Sequence, residues 1–215
     1  MHIAREIENL KKRLLALSAM VEESFERSVL ALNRMDGTLA RQVIGGDVVV
    51  DQTEVDIEEE CLKVLALHQP VANDLRFIVS ILKINNDLER IADLAVNIAE
   101  RVIDLQQMER TPPPFDFVTM SAKVHDMVKK GLDSLVNLDP HLAREVISLD
   151  DEVDQMHHET YGLVIEQIKQ HPDRIHGLIC YLVISRYLER IADQTTNIAE
   201  DTLYLVEGKI VRHQL

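Results

Sequence analysis

The sequence predicts an all-α protein made of two pseudo-symmetric antiparallel three-helix bundles, with six long helices in all. One reason is an internal repeat. Residues 82–102 and 182–202 are identical at 12 of 21 aligned positions, where unrelated segments would share about one or two. A second reason is that apolar residues recur at helical spacing, and no window alternates with the period of two typical of a strand. The third is that only 7 glycines and 6 prolines interrupt the 215 residues.

Three helices are predicted in the first half, over residues 3–35, 38–68 and 71–108. The pair Asp36-Gly37 is expected to end the first of them. The adjacent Gly45 and Gly46 are expected to bend the second helix or to separate its first turn, because glycine is a poor helix former. Pro70 is expected to end the second helix and begin the third, since proline disfavours helix in the preceding residue but is tolerated in a first turn.

The second half is predicted to repeat this plan with helices over residues 117–137, 140–170 and 173–206. Asp139 is expected to cap the fifth helix with Pro140 in its first position. Gly208 is expected to end the sixth helix. The segment from Thr111 to Pro114 is the one proline-rich linker, so we predict a first domain over residues 1–110 and a second over 115–215.

The composition restricts the class of function. A net charge of -14 argues against binding to nucleic acid or to an anionic membrane, because phosphates would be repelled. No run of 18 apolar residues occurs, and the charged N-terminal residues lack the apolar region of a signal peptide. The two cysteines, Cys61 and Cys180, follow no metal or redox spacing, which favours a reducing compartment. We therefore expect a cytoplasmic protein that neither inserts into a membrane nor binds nucleic acid.

Each half carries two pairs of acidic residues spaced four apart, which places the members of a pair on one face of a helix. In the first half the two pairs lie equal distances, 19 and 23 residues, before and after Pro70. In the second half they lie at nearly equal distances around Pro172. Antiparallel helices would therefore bring the pairs to one height. The pairs are Asp47/Asp51 and Glu89/Asp93 in the first half, and Asp150/Asp154 and Glu189/Asp193 in the second.

Four carboxylates that converge between two helices repel one another, and a bound multivalent cation removes that repulsion. Oxygen ligands suit hard or borderline cations, so we predict that these eight acids bind magnesium, manganese or iron, with one or several ions per half. The alternative interpretation is an ordinary solvated acidic face. Further candidate ligands near the same stripes are Asn97, Glu100, Asn197, Glu200 and His158.

The duplicated segment Leu-Glu-Arg-Ile-Ala-Asp, at residues 88–93 and 188–193, resembles a motif of the PhoU family of bacterial phosphate-transport proteins. The stretch from Gln69 to Arg76 strengthens the resemblance, which covers essentially the whole chain. One departure is Ala92 and Ala192, where the family commonly has glycine. The resemblance implies two three-helix bundles whose Glu/Asp-x-x-x-Asp motifs hold multinuclear metal clusters.

The same resemblance implies a function. Similar proteins are negative regulators of phosphate uptake and phosphate-starvation signalling. They link the ATPase of a phosphate ABC transporter to a sensor histidine kinase, and they often form homodimers. We therefore expect a regulatory protein with these partners, and not an enzyme.

Three other functions stay open from the residues alone. A di-iron oxidase of the ferritin-like kind uses Glu-x-x-His, and no glutamate in this chain is followed by histidine three residues later. A phosphohydrolase that uses metal-bound water needs cationic groups for its substrate, and only Arg90 and Arg190 lie near the acids in sequence. The third alternative is a metal-free helical scaffold of the same fold.

Overall fold

The computed structural model describes residues 2–208, and within that range the chain folds into six α-helices with no strand, as predicted. A 3₁₀ turn, Pro172–Arg174, precedes the last helix. No helix within this part of the chain carries an apolar stretch long enough to cross a bilayer. The helices are α1 His2–Arg34, α2 Gly37–His68, α3 Ala72–Gln107, α4 Phe117–Asn137, α5 Pro140–Gln170 and α6 Ile175–Glu207.

Aspartate side chains cap the starts of three helices. Asp36 accepts hydrogen bonds from the backbone amides of the first turn of α2, at 2.9 and 3.0 Å. Asp139 does the same for α5, at 2.9 and 3.2 Å, with Pro140 in the first helical position as predicted. Asp116 caps α4. At the other end, Gly208 closes α6 in the left-handed conformation, with φ of 69°.

Three predicted details are wrong. Helix α2 continues through Gly45 and Gly46, so its first turn is not separated from the rest. The buried valines on either side, Val43 and Val50, pack into the core and offset the low helix propensity of glycine, about 1 kcal/mol each. Pro70 does not begin the third helix, because α2 ends at His68 and α3 begins at Ala72 with Val71 as its N-cap. The last helix begins at Ile175, two residues after the predicted start, because the chain first forms the 3₁₀ turn, closed by a 3.0 Å bond from the amide of Arg174 to the carbonyl of His171.

The helices form two layers around an aliphatic core. Helices α2, α3, α6 and α5 make a row in that order, because among these four each contacts only the helix or helices next to it. Helix α1 packs on α2 and α3, α4 packs on α5 and α6, and α1 also contacts α4. The pair α1 and α4 therefore covers one side of the row. We name the other side, which faces solvent, the open face.

Helices α3 and α6 join the two halves and run antiparallel. Lys83, in the first half of α3, forms a 3.2 Å ion pair with Asp201, in the last third of α6. At the other end of the pair, Cys180 of α6 lies close enough to Arg101 and Asp104 of α3 for their charges to act on its pKa. Because this contact crosses the predicted boundary, the division into domains 1–110 and 115–215 stays a prediction.

Candidate metal-binding site

Three of the four acids predicted for the first half converge between α2 and α3 on the open face. Asp47 and Asp51 come from α2 and Asp93 from α3, and each offers a carboxylate oxygen within 4.8 Å of the other two. Asp51 and Asp93 are exposed to solvent, whereas Asp47 is half-buried. The fourth acid, Glu89, lies outside this group of three but close to it. We call these four residues the N-terminal cluster.

The raised pKa of Glu89 indicates that this residue lies close to the other acids. The pKa of Glu89 is raised to about 7, first by burial and then by the charges of Asp93, Glu54 and Asp51. The pKa of Asp47 is raised to about 6, by burial and by Asp51 and Asp93. Each of the four acids therefore interacts electrostatically with at least two of the others.

The second half forms a matching group between α5 and α6. Asp154 of α5 and Glu189 and Asp193 of α6 each offer an oxygen within 4.8 Å of the others. Here Asp150 is the acid outside the group of three. Its pKa is raised to about 6, first by burial and then by the charges of Asp193 and Asp154. We call these four residues the C-terminal cluster.

Burial and mutual repulsion also act on the remaining acids of both clusters. The pKa of Asp193 is raised to about 6 by burial and by the charges of Glu189 and Asp154. Burial also raises the pKa of Glu189 and of Asp93. In addition, one oxygen of Asp47 and one of Glu189 are buried without a hydrogen-bond partner among the described residues. Such oxygens carry an energetic cost that a cation would remove.

The sequence reasoning missed Glu54. This residue follows Asp51 on α2 by three positions, and its charge raises the pKa of Glu89. Its carboxylate accepts a 2.7 Å hydrogen bond from the side-chain amide of Asn85, which also donates to the Glu54 carbonyl at 3.0 Å. Extending the acidic stripe of α2 by one more turn would have identified it.

The further candidate ligands do not join the converging groups. Within residues 2–208, the groups of three include none of Glu100, Glu200 and His158. Glu100 lies 3.7 Å from Arg101, to which it is ion-paired. A ligand role for Asn97 and Asn197 stays a prediction. The neighbouring His157 is buried, with Nδ1 2.9 Å from the hydroxyl of Ser185.

The donor set of each group is chemically uniform. Carboxylate oxygens alone, three within 4.8 Å and a fourth carboxylate nearby, fit magnesium, manganese or iron and do not resemble thiolate-rich zinc or copper sites. Each group also joins two helices, so that an ion held there would bridge α2 to α3, or α5 to α6. The residues present therefore fit the predicted cations.

Comparison with known proteins identifies relatives of this chain. A family model described as the PhoU domain matches residues 14–102 and again residues 117–202. The phosphate-specific transport system accessory protein PhoU homolog of Aquifex aeolicus is 39% identical over 214 residues, covering 100% of this chain and 97% of that protein. The homolog of Pseudomonas putida is 37% identical over 209 residues, covering 97% of this chain and 82% of its own.

Solved structures agree with these relatives. The crystal structure of PhoU from Pseudomonas aeruginosa superposes with a TM-score of 0.92 at 36% identity, covering 96% of this chain and 99% of that one. The phosphate transport system regulatory protein PhoU from Streptococcus pneumoniae has a TM-score of 0.85 at 30% identity, covering 97% and 99%. On the sequence matches and the shared architecture together, this chain belongs to the PhoU family.

Proposed function

We propose that this chain is a metal-binding negative regulator of phosphate uptake and phosphate-starvation signalling, and not an enzyme. Relatives are named accessory proteins of the phosphate-specific transport system, or a phosphate transport system regulatory protein. The observation that carries the metal-binding part is the convergence of three carboxylates within 4.8 Å in each half. Because the motif is duplicated, we propose one metal site per half.

The ions would be held by Asp47, Asp51 and Asp93 in one half and by Asp154, Glu189 and Asp193 in the other. Glu89 and Asp150 would complete these two sites. A bound cation supplies positive charge that lowers the pKa of each ligand and stabilises its ionised form. Magnesium, manganese and iron all suit an all-oxygen set.

Metal occupancy would give the protein two states that a partner can distinguish. Without cations the open face presents two dense negative clusters. With cations bound, part of this negative charge would be cancelled, and each ion would tie two helices together. We propose that the transporter ATPase and the sensor histidine kinase contact this face in the cytoplasm, and that the loaded state is the one they bind.

Self-association has support on the outer side of α2. Val48, Val55 and Leu62 are spaced seven residues apart, so they form one stripe, and their exposed fractions are 71%, 43% and 52%. Exposed apolar stripes of this kind are typical of surfaces that bind another protein. We propose that the chain forms a homodimer, with this stripe in the interface.

Metal analysis of the purified chain tests the first part of the proposal. After removal of metal with a chelator and dialysis against Mn²⁺, the wild-type chain should retain at least two ions. The variants Asp51→Asn/Asp93→Asn and Asp154→Asn/Asp193→Asn should each lose the ions of one half. A matched control, Glu26→Gln/Glu59→Gln, removes two exposed acids outside the clusters and should change nothing. Equal metal content in all four proteins would refute the proposed sites.

The regulatory part needs a cellular readout. In a bacterium that lacks its own PhoU, this chain should restore the repression of phosphate uptake under phosphate-rich growth. The two cluster variants should fail to do so, whereas the control should succeed. Capture of the transporter ATPase and the sensor kinase by the metal-loaded chain, but not by the stripped chain, would tie the two results together. Full repression by the cluster variants would show that regulation does not require the proposed metal sites.

A further inference from the structure

Three exposed arginines lie on the open face among the acidic clusters. Arg90 of α3 and Arg190 of α6 are equivalent residues of the repeat, and Arg186 precedes Arg190 by one helical turn. Within residues 2–208, no carboxylate lies within ion-pair distance of any of the three guanidinium groups. Their charges are nevertheless close enough to lower the pKa of cluster acids: Arg90 acts on Glu89, and Arg186 and Arg190 act on Glu189.

The helix pairing shows where Arg90 and Arg190 point. Arg90 follows Lys83 by seven residues, close to two full turns, so it shares the side of α3 that faces α6. Arg190 precedes Asp201 by eleven residues, close to three full turns, so it shares the side of α6 that faces α3. Both arginines therefore border the line where α3 meets α6.

The same pairing gives their heights. Because α3 and α6 are antiparallel and Lys83 pairs with Asp201, Arg190 lies four residues beyond Arg90 along the shared axis, or about 6 Å. Asp93 and Asp193 follow their arginines by three residues, so both clusters lie at nearly this height. The order across the open face is the N-terminal cluster, Arg90 and Arg190, and then the C-terminal cluster.

The flanking polar residues follow the same stripes. Asn97 follows Arg90 by seven residues, and Asn197 follows Arg190 by seven, so each shares the side of its arginine. Both asparagines are half-buried. Amide and guanidinium N–H groups from two helices thus border one strip at the centre of the open face. Such donors suit an anion with several oxygens, because guanidinium groups bind phosphate in a bidentate manner.

The acids decide whether an anion can approach this strip. Ionised clusters on both sides would repel it, whereas cations bound in the clusters would cancel part of that negative charge and weaken the repulsion. Building on the metal binding proposed above, we infer that Arg90 and Arg190 form a binding site for a phosphate-type oxyanion, available when cations occupy the two clusters. The protein would thereby bind the anion whose uptake it is proposed to regulate, at the centre of its duplicated fold.

Calorimetric titration of the full chain with inorganic phosphate tests this inference. It is run at constant ionic strength, once with Mg²⁺ and once after removal of metal. The wild-type chain should bind phosphate with Mg²⁺ and at least about tenfold more weakly without it. Arg90→Gln/Arg190→Gln should weaken phosphate binding about tenfold or more while Mg²⁺ binding is kept. The control Arg5→Gln/Arg13→Gln removes two exposed charges of α1 and should bind as the wild type does.

The outcomes separate this inference from the proposed function. Retained Mg²⁺ binding with no phosphate binding would overturn the inference alone. So would phosphate binding that is equal in Arg90→Gln/Arg190→Gln and in the wild type, or equal with and without Mg²⁺. Loss of Mg²⁺ binding in the wild-type chain would overturn the proposed metal sites together with the inference.

Discussion

The two clusters occupy equivalent places in a duplicated frame, but their surroundings differ in charge. Glu54 in the first half and His157 in the second hold corresponding positions three residues after Asp51 and Asp154. Both bond to corresponding positions on the next helix: Glu54 accepts from Asn85 at 2.7 Å, and His157 Nδ1 lies 2.9 Å from the hydroxyl of Ser185. The two halves thus share this hydrogen bond between neighbouring helices, although the residue that makes it is a glutamate in the first half and a histidine in the second.

The arginines show the same divergence. Arg186 stands where the first half has Asn86. Arg186 and Arg190 both oppose the raised pKa of Glu189, whereas Arg90 alone opposes that of Glu89. The N-terminal cluster therefore has Glu54 and one fewer arginine nearby, whereas the extra acid beside the C-terminal cluster is Asp151, which acts on Asp150. Duplication thus kept the positions of the candidate ligands and the helix packing, while the surrounding charges changed. We therefore expect the N-terminal cluster to hold a cation more tightly.

The largest expected effect comes from removing ligands in one half at a time. Mn²⁺ titration of the wild-type chain should show a tighter and a weaker class of site. Asp51→Asn/Asp93→Asn should remove the tighter class and Asp154→Asn/Asp193→Asn the weaker one, each with a loss of at least about a hundredfold in affinity. Isothermal calorimetry measures both classes. The opposite assignment would contradict the argument from local charge.

Exchanging the divergent residue should reduce the difference between the halves. Glu54→His removes one negative charge near the N-terminal cluster and should weaken its Mn²⁺ affinity by about three- to tenfold. His157→Glu adds a charge beside the C-terminal cluster and should strengthen it by a similar factor. The same calorimetric titration applies. If neither variant changes the Mn²⁺ affinity, the charges at positions 54 and 157 do not act on the bound ions.

Deprotonation of the cluster acids should destabilise the two halves unequally when no metal is present. Glu89 has a pKa raised to about 7 in the folded state, above the unfolded value of about 4.3. Its contribution to stability is thus full at low pH and is lost as pH rises through about 7. Glu89→Gln should raise the free energy of unfolding in chelator at pH 7.5 and leave it nearly unchanged at pH 4. Glu189→Gln should do so less, because two arginines oppose the shift there.

Urea unfolding of the wild type and both variants at the two pH values measures these free energies. Taking the difference between each variant and the wild type removes the contribution of the other titrating groups. With excess Mn²⁺ at pH 7.5 the order should reverse, since the ionised carboxylate then binds a cation. A variant less stable than the wild type in chelator at pH 7.5 would contradict the raised pKa of Glu89.

The smallest expected effects come from glycines of the two halves. A Cβ at Gly45 of α2 would meet nothing within 4 Å, so Gly45→Ala should stabilise the chain by about 0.5–1 kcal/mol. A Cβ at Gly177 of α6 would lie 2.8 Å from Cβ of Thr111, so Gly177→Ala should destabilise it by about 1–3 kcal/mol. Thermal unfolding measures both. If Gly177→Ala also stabilises the chain, the buried linker residue Thr111 moves aside at no cost in free energy.

The sequence alone determined most of the fold because its signals are local. Apolar spacing and helix-start signals such as Asp139-Pro140 place all six helices within two residues of their observed ends. The continuity of α2 through Gly45 and Gly46 could not be read locally, because it depends on packing of Val43 and Val50 against other helices. The 3₁₀ turn before α6 depends on how His171 and Pro172 close the hairpin.

The candidate metal-binding site could be predicted from the sequence to a similar extent. Counting from Pro70 brought the right helices to the right height, and six of the eight predicted acids lie in the converging groups. Which acid of each half lies outside its group, Glu89 in one and Asp150 in the other, depends on side-chain rotamers that spacing does not specify. Glu54 was missed because its role arises from a hydrogen bond across helices, with Asn85.

Anomalous diffraction at the manganese edge, from crystals of the chain soaked in Mn²⁺, tests the central claim most directly. The account predicts peaks between α2 and α3, within coordination distance of Asp47, Asp51 and Asp93, and between α5 and α6 at Asp154, Glu189 and Asp193. As Mn²⁺ is lowered, the peak between α2 and α3 should persist longer. Saturating Mn²⁺ with no peak in either groove would contradict the account.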